Sequence, residues 1–132
     1  MPIQPVTGPG IQVLGPYSPA VRAGGLVFVS AQTGVDPRTG GVPEGPFEAE
    51  WRQALANLAR VLDAAGSRLD LVVKVTVLYG DPADLPVLNS VFAEVFPVAP
   101  PARTAAVVTL AGGRRVSVDA IAHVADRDAD AP

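Results

Sequence analysis

The segment spanning residues 46–65 constrains the fold most, because its apolar residues recur at helical spacing. The stripe is formed by Trp51, Ala54, Leu55, Leu58, Val61, Leu62 and Ala65. Apolar positions three and four residues apart share one face of a helix. Pro46 fits the first helical turn, and Gly66 suits the stop. Glu48 and Glu50 favour the positive N-terminal end. The pattern predicts a helix over residues 46–65 that buries this stripe in a core.

Runs rich in β-branched residues predict strands on both sides of this helix. Residues 26–30 follow a Gly-Gly turn and read Leu-Val-Phe-Val-Ser, and residues 71–79 are largely valine, leucine and threonine. We also expect a short strand at residues 11–14. Residues 1–10 are rich in Pro and Gly and are expected to be frayed or to form an edge segment. A hairpin-like turn is predicted at residues 36–41.

A second helix and a strand hairpin are predicted towards the end of the chain. Residues 86–96 suit a helix that ends at Pro97. Its apolar face comprises Leu88, Val91, Phe92 and Val95. Residues 104–110 and 116–124 read as strands that pair around a turn at residues 111–115.

This order of elements is typical of an α+β fold with two helices packed on one face of a mixed sheet. We expect one domain over residues 1–125 and a disordered acidic tail at residues 126–132. The other face of the sheet also carries apolar residues. Because 48% of the residues are hydrophobic and only 17% are charged, we expect other subunits to cover that face.

The composition argues against several classes of function. The net charge is −3 and the arginines are scattered, so we expect no nucleic-acid partner, which requires a clustered basic face. With no cysteine and the single histidine His123, the chain lacks the residues for a thiolate nucleophile or a multi-histidine metal site. No phosphate-binding glycine loop is present. Residues 1–14 lack a signal-peptide pattern and no apolar run could span a bilayer. We therefore expect a cytoplasmic protein with no membrane partner.

Arg103 is the first candidate for chemistry. Pro100 and Pro101 stiffen the backbone just before it, and its neighbours Ala102 and Thr104 are small. A guanidinium on such a mount can offer its planar fork to a carboxylate at little entropic cost. Because most arginines are simply solvated surface residues, this pattern alone leaves the role of Arg103 open.

Asp119 is the second candidate, because it interrupts the apolar run of residues 116–122. A carboxylate inside such a strand is costly unless it is paired, hydrated or neutralised. Asp119 is therefore either a structural partner for a nearby cation or a general base that positions water. In the predicted hairpin, Arg103 and Asp119 point to opposite faces. Either a bulge or a subunit boundary would have to bring them together.

Several short motifs then occur in a recognisable order and spacing. They are Gly15-Pro16-Tyr17-Ser18-Pro19-Ala20, Val27-Phe28-Val29-Ser30-Ala31-Gln32, Asn57-Leu58, Val73-Lys74-Val75-Thr76-Val77, Asn89 with Phe92 to Phe96, Pro101-Ala102-Arg103-Thr104 and Asp119-Ala120-Ile121-Ala122. In this order they resemble the Rid (YjgF) family of reactive-intermediate deaminases. The resemblance covers nearly the whole chain, from residue 15 to residue 122.

The resemblance implies a chorismate-mutase-like fold and a homotrimer whose sheets form a central barrel, with three clefts between subunits. It also implies hydrolysis of enamine or imine intermediates, such as 2-aminoacrylate and its imine 2-iminopropanoate, to a 2-keto acid and ammonia. Because an iminium carbon is already electrophilic, we expect no metal and no other cofactor. The expected ligand is a small imine, an enamine or the keto acid product.

The resemblance further assigns roles to single residues. Arg103 matches the arginine that grips the substrate carboxylate, and Asp119 falls where the family has a glutamate that positions the attacking water. The expected cleft-lining residues are Tyr17, Ser30, Ala31, Asn89 and Ala105. The last of these stands where a family cysteine is often found, two residues after the arginine.

Two departures from the family pattern leave alternatives. Asp119 is one methylene shorter than glutamate, and a displacement of about 1 Å can cost up to ~10²-fold in rate. Ala105 widens the cleft. A diverged paralogue that acts on another imine in biosynthesis or catabolism is therefore an alternative, as is a non-catalytic protein that binds small carboxylates. A ribonuclease or translation inhibitor is disfavoured by the negative charge.

Overall fold

Six β-strands and two α-helices make up the computed structural model, which describes residues 2–11 and 13–125. The strands are β1 (Gln4–Val6), β2 (Ala20–Ala23), β3 (Leu26–Thr33), β4 (Val72–Tyr79), β5 (Ala102–Val107) and β6 (Val116–His123), and the helices are α1 (Phe47–Ala64) and α2 (Leu85–Val95). The predicted α+β class is confirmed. The acidic tail predicted at residues 126–132 lies outside the described residues, so the domain boundary at residue 125 stays a prediction.

All six strands belong to one mixed sheet with the order β1-β2-β3-β6-β4-β5. β4 and β5 run parallel, and α2 provides the crossover connection that a parallel pair requires. β6 lies between β3 and β4 and pairs antiparallel with both. Strands from the two ends of the sequence therefore meet in the middle of the sheet, and β5 is left at one edge.

The predicted hairpin between residues 104–110 and 116–124 is wrong. Within the described sheet, β5 pairs with β4 alone, and β4 separates it from β6. Gly112 and Gly113 do adopt the left-handed backbone, with φ of 70° and 69°, but they form part of a connection that crosses β4. The glycines thus have the backbone of a turn, as predicted. The predicted pairing of β5 with β6 fails because turn residues do not encode which strand becomes the neighbour of β5.

Helix α1 covers one face of the sheet with the predicted stripe, every residue of which is buried. Trp51 Nε1 donates a hydrogen bond of 3.2 Å to the carbonyl oxygen of Leu88, so α1 is fixed against α2 on the same face. Gly34, just after β3, lies so close to α1 that an added Cβ would stand 2.5 Å from the Glu50 carbonyl oxygen. This close approach explains why a glycine follows the strand.

Some local expectations differ from the structure. Pro46 precedes α1 as an extended N-cap residue rather than lying in the first turn. Residues 11, 13 and 14 lie outside regular secondary structure, so the strand predicted there is not formed by them. The turn at residues 36–41 is closed by a 2.8 Å bond from Asp36 N to Gly41 O, but it leads from β3 to α1 instead of joining two strands. The N-terminal segment does form the edge strand β1.

The face of the sheet opposite the helices has no cover in the described part of the chain. Phe28, Ile121 and Lys74 stand in one row across β3, β6 and β4 on this face. Phe28 is 39% exposed, and five of the six residues of β5 are exposed. This surface fits the predicted assembly with other subunits, which stays a prediction.

Candidate active site

Arg103 is displayed on the edge strand β5, on the side of the sheet that the helices cover. It lies opposite the buried Val75 in the register of β4 and β5, and residues that pair directly point to the same face. Its guanidinium carbon lies 4.9 Å from the centre of the Phe92 ring of α2, which is a cation–π contact. The guanidinium therefore lies over an aromatic ring.

The Arg103 side chain makes no hydrogen bond or ion pair with any described residue. Four other arginines bind a carboxylate at 3.1 Å or less: Arg38, Arg52, Arg68 and Arg115. Since a cation–π contact does not require a hydrogen bond from the guanidinium, the N–H groups of Arg103 are not engaged by any described residue. A planar carboxylate is the partner that such a free fork binds best, through two parallel hydrogen bonds.

Ala105 lies on the same strand as this arginine, and Asn89 lies on the helix that carries Phe92. Ala105 lies opposite Val77 in the same register, so it shares the face of Arg103, and its small side chain leaves open space there. Asn89 precedes Phe92 on α2 by about one helical turn. Ala105, Asn89 and Arg103 are all exposed. Together with Phe92 they form the arginine side of the site.

Tyr17 and Ser30 line a separate open cleft of about 340 Å³. Its walls are Tyr17, Ser18, Val21, Phe28, Val29 and Ser30. Ser30 Oγ donates a 2.7 Å hydrogen bond to the Ser18 carbonyl oxygen, and Ser30 N donates one of 2.9 Å to the Pro19 carbonyl oxygen. These bonds orient the Ser30 hydroxyl and leave its oxygen as an acceptor. Tyr17 is 48% exposed and can meet a ligand.

Tyr17 and Ala31 also border a smaller cleft of about 40 Å³. Asn57 of α1 lies in its wall, and its Nδ2 donates 2.8 Å hydrogen bonds to the carbonyl oxygens of Thr33 and Val35. Buried amide bonds of this kind hold a chain segment in one place. Asn57 thus fixes the end of β3 that carries Ala31.

A bulge in β3 places Asp119 beside two of the predicted cleft residues. The register between β3 and β6 shifts between Val29 and Gln32, so Ser30 and Ala31 together oppose the single Asp119. Such bulges are common next to active sites, where they re-aim side chains. We refer to Tyr17, Ser30, Ala31 and Asp119 as the hydroxyl side of the candidate site.

The electrostatics of Asp119 suit a proton acceptor. Burial raises the pKa of this carboxyl above the usual 3.8, and the positive charge of Lys74 opposes the rise. Lys74 Nζ is held nearby by hydrogen bonds of 2.9 Å to Thr104 Oγ1 and 3.0 Å to the Val75 carbonyl oxygen. A carboxyl with a raised pKa is a stronger base, because general-base efficiency increases as the pKa approaches the working pH.

One chain does not bring the two sides together. The path from Ser30 to Arg103 crosses the sheet in the order β3-β6-β4-β5, which at ~4.8 Å per strand separates their backbones by about 14 Å. Thr76 lies opposite Asp119 and Val75 opposite Arg103, so the arginine and the aspartate point to opposite faces. The predicted opposite orientation holds, although the pairing from which it was predicted is wrong.

Phe92 and Lys74 are the residues that sequence reasoning missed. The sequence places Phe92 on the core face of its helix and in a family motif, and Lys74 in a family motif, without a role at the site for either. Neither had a local signal, because their contacts with Arg103 and Thr104 arise from the β4–α2–β5 crossover.

No group of three or more His, Cys, Asp or Glu side chains within the described ranges is placed to hold a metal ion. None of the described helices is long and apolar enough to cross a bilayer. The cytoplasmic location stays a prediction.

The fold defines an α+β protein whose edge strand carries Arg103, an arginine that pairs with no described carboxylate. A family model described as Endoribonuclease L-PSP matches residues 8–124. A RutC family protein of Pyrococcus horikoshii is 40% identical over 83% of this chain and 88% of its own. The 2-iminobutanoate/2-iminopropanoate deaminase of Mus musculus is 41% identical over 83% of this chain and 82% of its own. The crystal structure of RidA from a Psychrobacter species superposes with a TM-score of 0.87 at 35% identity, covering 92% of this chain and 99% of that chain. The chain therefore belongs to this family, the Rid (YjgF) family that its sequence resembles.

Proposed function

We propose that this protein is a hydrolase that converts small 2-imino acids, or their enamine tautomers, to 2-keto acids and ammonia. The observation that carries the proposal is that the Arg103 guanidinium lies over the Phe92 ring and pairs with no described carboxylate. The printed name of the mouse relative, a 2-iminobutanoate/2-iminopropanoate deaminase, supports the same substrate class. These substrates combine a carboxylate, which the fork binds, with an electrophilic carbon that water attacks.

The proposed reaction proceeds in two steps. Arg103 holds the substrate carboxylate while a water molecule attacks C2 of the iminium. The π electrons of the C=N bond move to nitrogen, and Asp119 accepts a proton from the water. Asp119 then returns that proton to nitrogen. The C–N bond breaks, the carbonyl forms, and the hydroxyl proton leaves with ammonia as ammonium. Holding the two reactants in place supplies most of the rate enhancement, because it converts a bimolecular attack into a unimolecular one.

The complete site is proposed to form between two copies of the chain in a homotrimer. Arg103, Asn89 and Ala105 come from one copy, and the hydroxyl side, which includes Asp119, comes from its neighbour. The separation of about 14 Å across one sheet supports this arrangement, as do the uncovered sheet face with Phe28 and the exposed edge strand β5.

The departures at Asp119 and Ala105 leave the physiological substrate open. The shorter acid shifts the water position, and the alanine enlarges the pocket beside Arg103. A diverged enzyme that acts on another imine keeps every feature of the arginine side. A protein that only binds small carboxylates also keeps Arg103, and it needs no working base.

The test is release of ammonia and 2-keto acid from freshly generated 2-iminopropanoate. We expect wild type to exceed the uncatalysed rate, and Arg103→Ala to lose most of that activity. Arg38→Ala is the matched control, because Arg38 is an exposed arginine with a local partner. If wild type and Arg103→Ala both match the uncatalysed rate, the deaminase proposal fails. Calorimetric binding of 2-oxobutanoate that depends on Arg103, without turnover, would favour the binding protein.

A further inference from the structure

The Phe92 ring is a buried surface on which the Arg103 guanidinium rests. The guanidinium carbon of Arg103 is 4.9 Å from the ring centre, and Phe92 is only 7% exposed. Phe96 packs against Phe92, with ring centres 4.7 Å apart and planes tilted by 42°. The ring under the arginine is therefore itself held in place by a second ring.

An aromatic partner and an acidic partner would affect the guanidinium of Arg103 differently. An acidic partner would orient the guanidinium but would occupy the N–H groups that a substrate carboxylate needs. An aromatic face orients the same group through its ring quadrupole and leaves those N–H groups free. No described carboxylate pairs with Arg103, whereas Arg52 on the neighbouring helix α1 is held by Glu48 and Glu94.

We propose that Phe92 is a positioning residue that holds Arg103 ready to bind the substrate carboxylate. The inference rests on the proposed function and adds a residue to it. The helix that supports the arginine, α2, also carries the exposed Asn89, three residues before Phe92. Removing the ring would leave Arg103 present but free to sample many rotamers.

The test compares two buried phenylalanines. In Phe92→Leu we expect KM for 2-iminopropanoate and Kd for 2-oxobutanoate to rise roughly 3- to 20-fold, a range that lies between an exposed and a fully desolvated cation–π contact. kcat should change less, because the carboxylate is gripped equally in the ground state and the transition state. Phe92→Tyr keeps the aromatic face and should restore both constants.

Phe47→Leu is the matched control, since it removes a buried ring of α1 that takes no part in the described aromatic and cation–π contacts of Phe92. It should lower the melting temperature as Phe92→Leu does while leaving KM near that of wild type. Equal KM for Phe92→Leu and wild type, or an equal rise in both leucine variants, would overturn the positioning role. If Phe92→Leu does not fold, Phe92→Met gives the same comparison. The proposed function fails separately, when wild type and Arg103→Ala both match the uncatalysed rate.

Discussion

The ion pair between Glu50 and Arg115 offers a direct stability test of how this fold is held together. Glu50 on α1 is 1% exposed. Its two oxygens accept hydrogen bonds of 2.6 Å from Arg115 N and 2.6 Å from Arg115 Nε. Because β6 begins at the next residue, Val116, this pair attaches the start of β6 to the helix layer. β6 is the central strand on which Asp119 lies.

The change to make is Arg115→Ala, and its size follows from the burial. Removing one partner of a buried ion pair costs about 3–5 kcal/mol, because it leaves a charge without compensation. The backbone N–H of residue 115 would still donate, and the Arg115 side chain is 38% exposed, so we expect the lower end of that range. For a domain of this length, a loss of about 3 kcal/mol lowers the melting temperature by roughly 12 °C.

Thermal and urea unfolding followed by circular dichroism, at one fixed protein concentration, measure this loss. The concentration must be fixed because assembly adds to apparent stability. Arg38→Ala is the control: its pair with Asp36 spans 3.1 Å but the arginine is 87% exposed, and surface pairs contribute less than about 1 kcal/mol. A melting temperature for Arg115→Ala within ~3 °C of that control would refute the reasoning.

Two further predictions concern the site. As pH falls through the pKa of Asp119, which burial raises above 3.8, kcat/KM should fall because the base becomes protonated. Lys74→Met removes the cation that lowers this pKa and should move the acidic limb of the pH profile of kcat/KM to higher pH. An unmoved limb would exclude Asp119 as the base. Arg103→Ala and Asp119→Ala should each be inactive alone. Refolded together in equal amounts, they should recover about a quarter of wild-type activity, because that share of inter-subunit sites in random trimers receives both intact residues. No recovery, despite mixed assemblies seen by native mass spectrometry, would contradict a shared site.

The sequence predicted those parts of the fold that local pattern controls. The stripe from Trp51 to Ala65 placed α1, and the β-branched run ending at Tyr79 placed β4, each within one or two residues of the structure. Both succeed because the buried face of an element repeats with the geometry of that element. The fold class followed from the order of the elements, and the family followed from short motifs whose spacing is unusual.

Strand pairing was beyond reach of that reasoning, and it decided the site. Residues 104–110 and 116–124 have the pattern of a hairpin, yet β4 lies between β5 and β6. The pairing of β5 with β4 depends on packing between residues that are far apart in the sequence. The hydrogen bond from Trp51 on α1 to the Leu88 carbonyl oxygen on α2 is one such contact. A pattern within one segment contains no record of such contacts.

The sequence by itself determined where the main helices and strands lie and to which family the chain belongs. It also showed that two prolines, Pro100 and Pro101, closely precede Arg103. The tertiary structure alone decided what Arg103 touches, because the crossover through α2 places Phe92 under its guanidinium. It also decided that a bulge sets Asp119 beside Ser30, on the far side of the sheet from Arg103. The physical reason is that periodicity reports which face of an element is buried, whereas the neighbours on that face depend on how the whole chain packs.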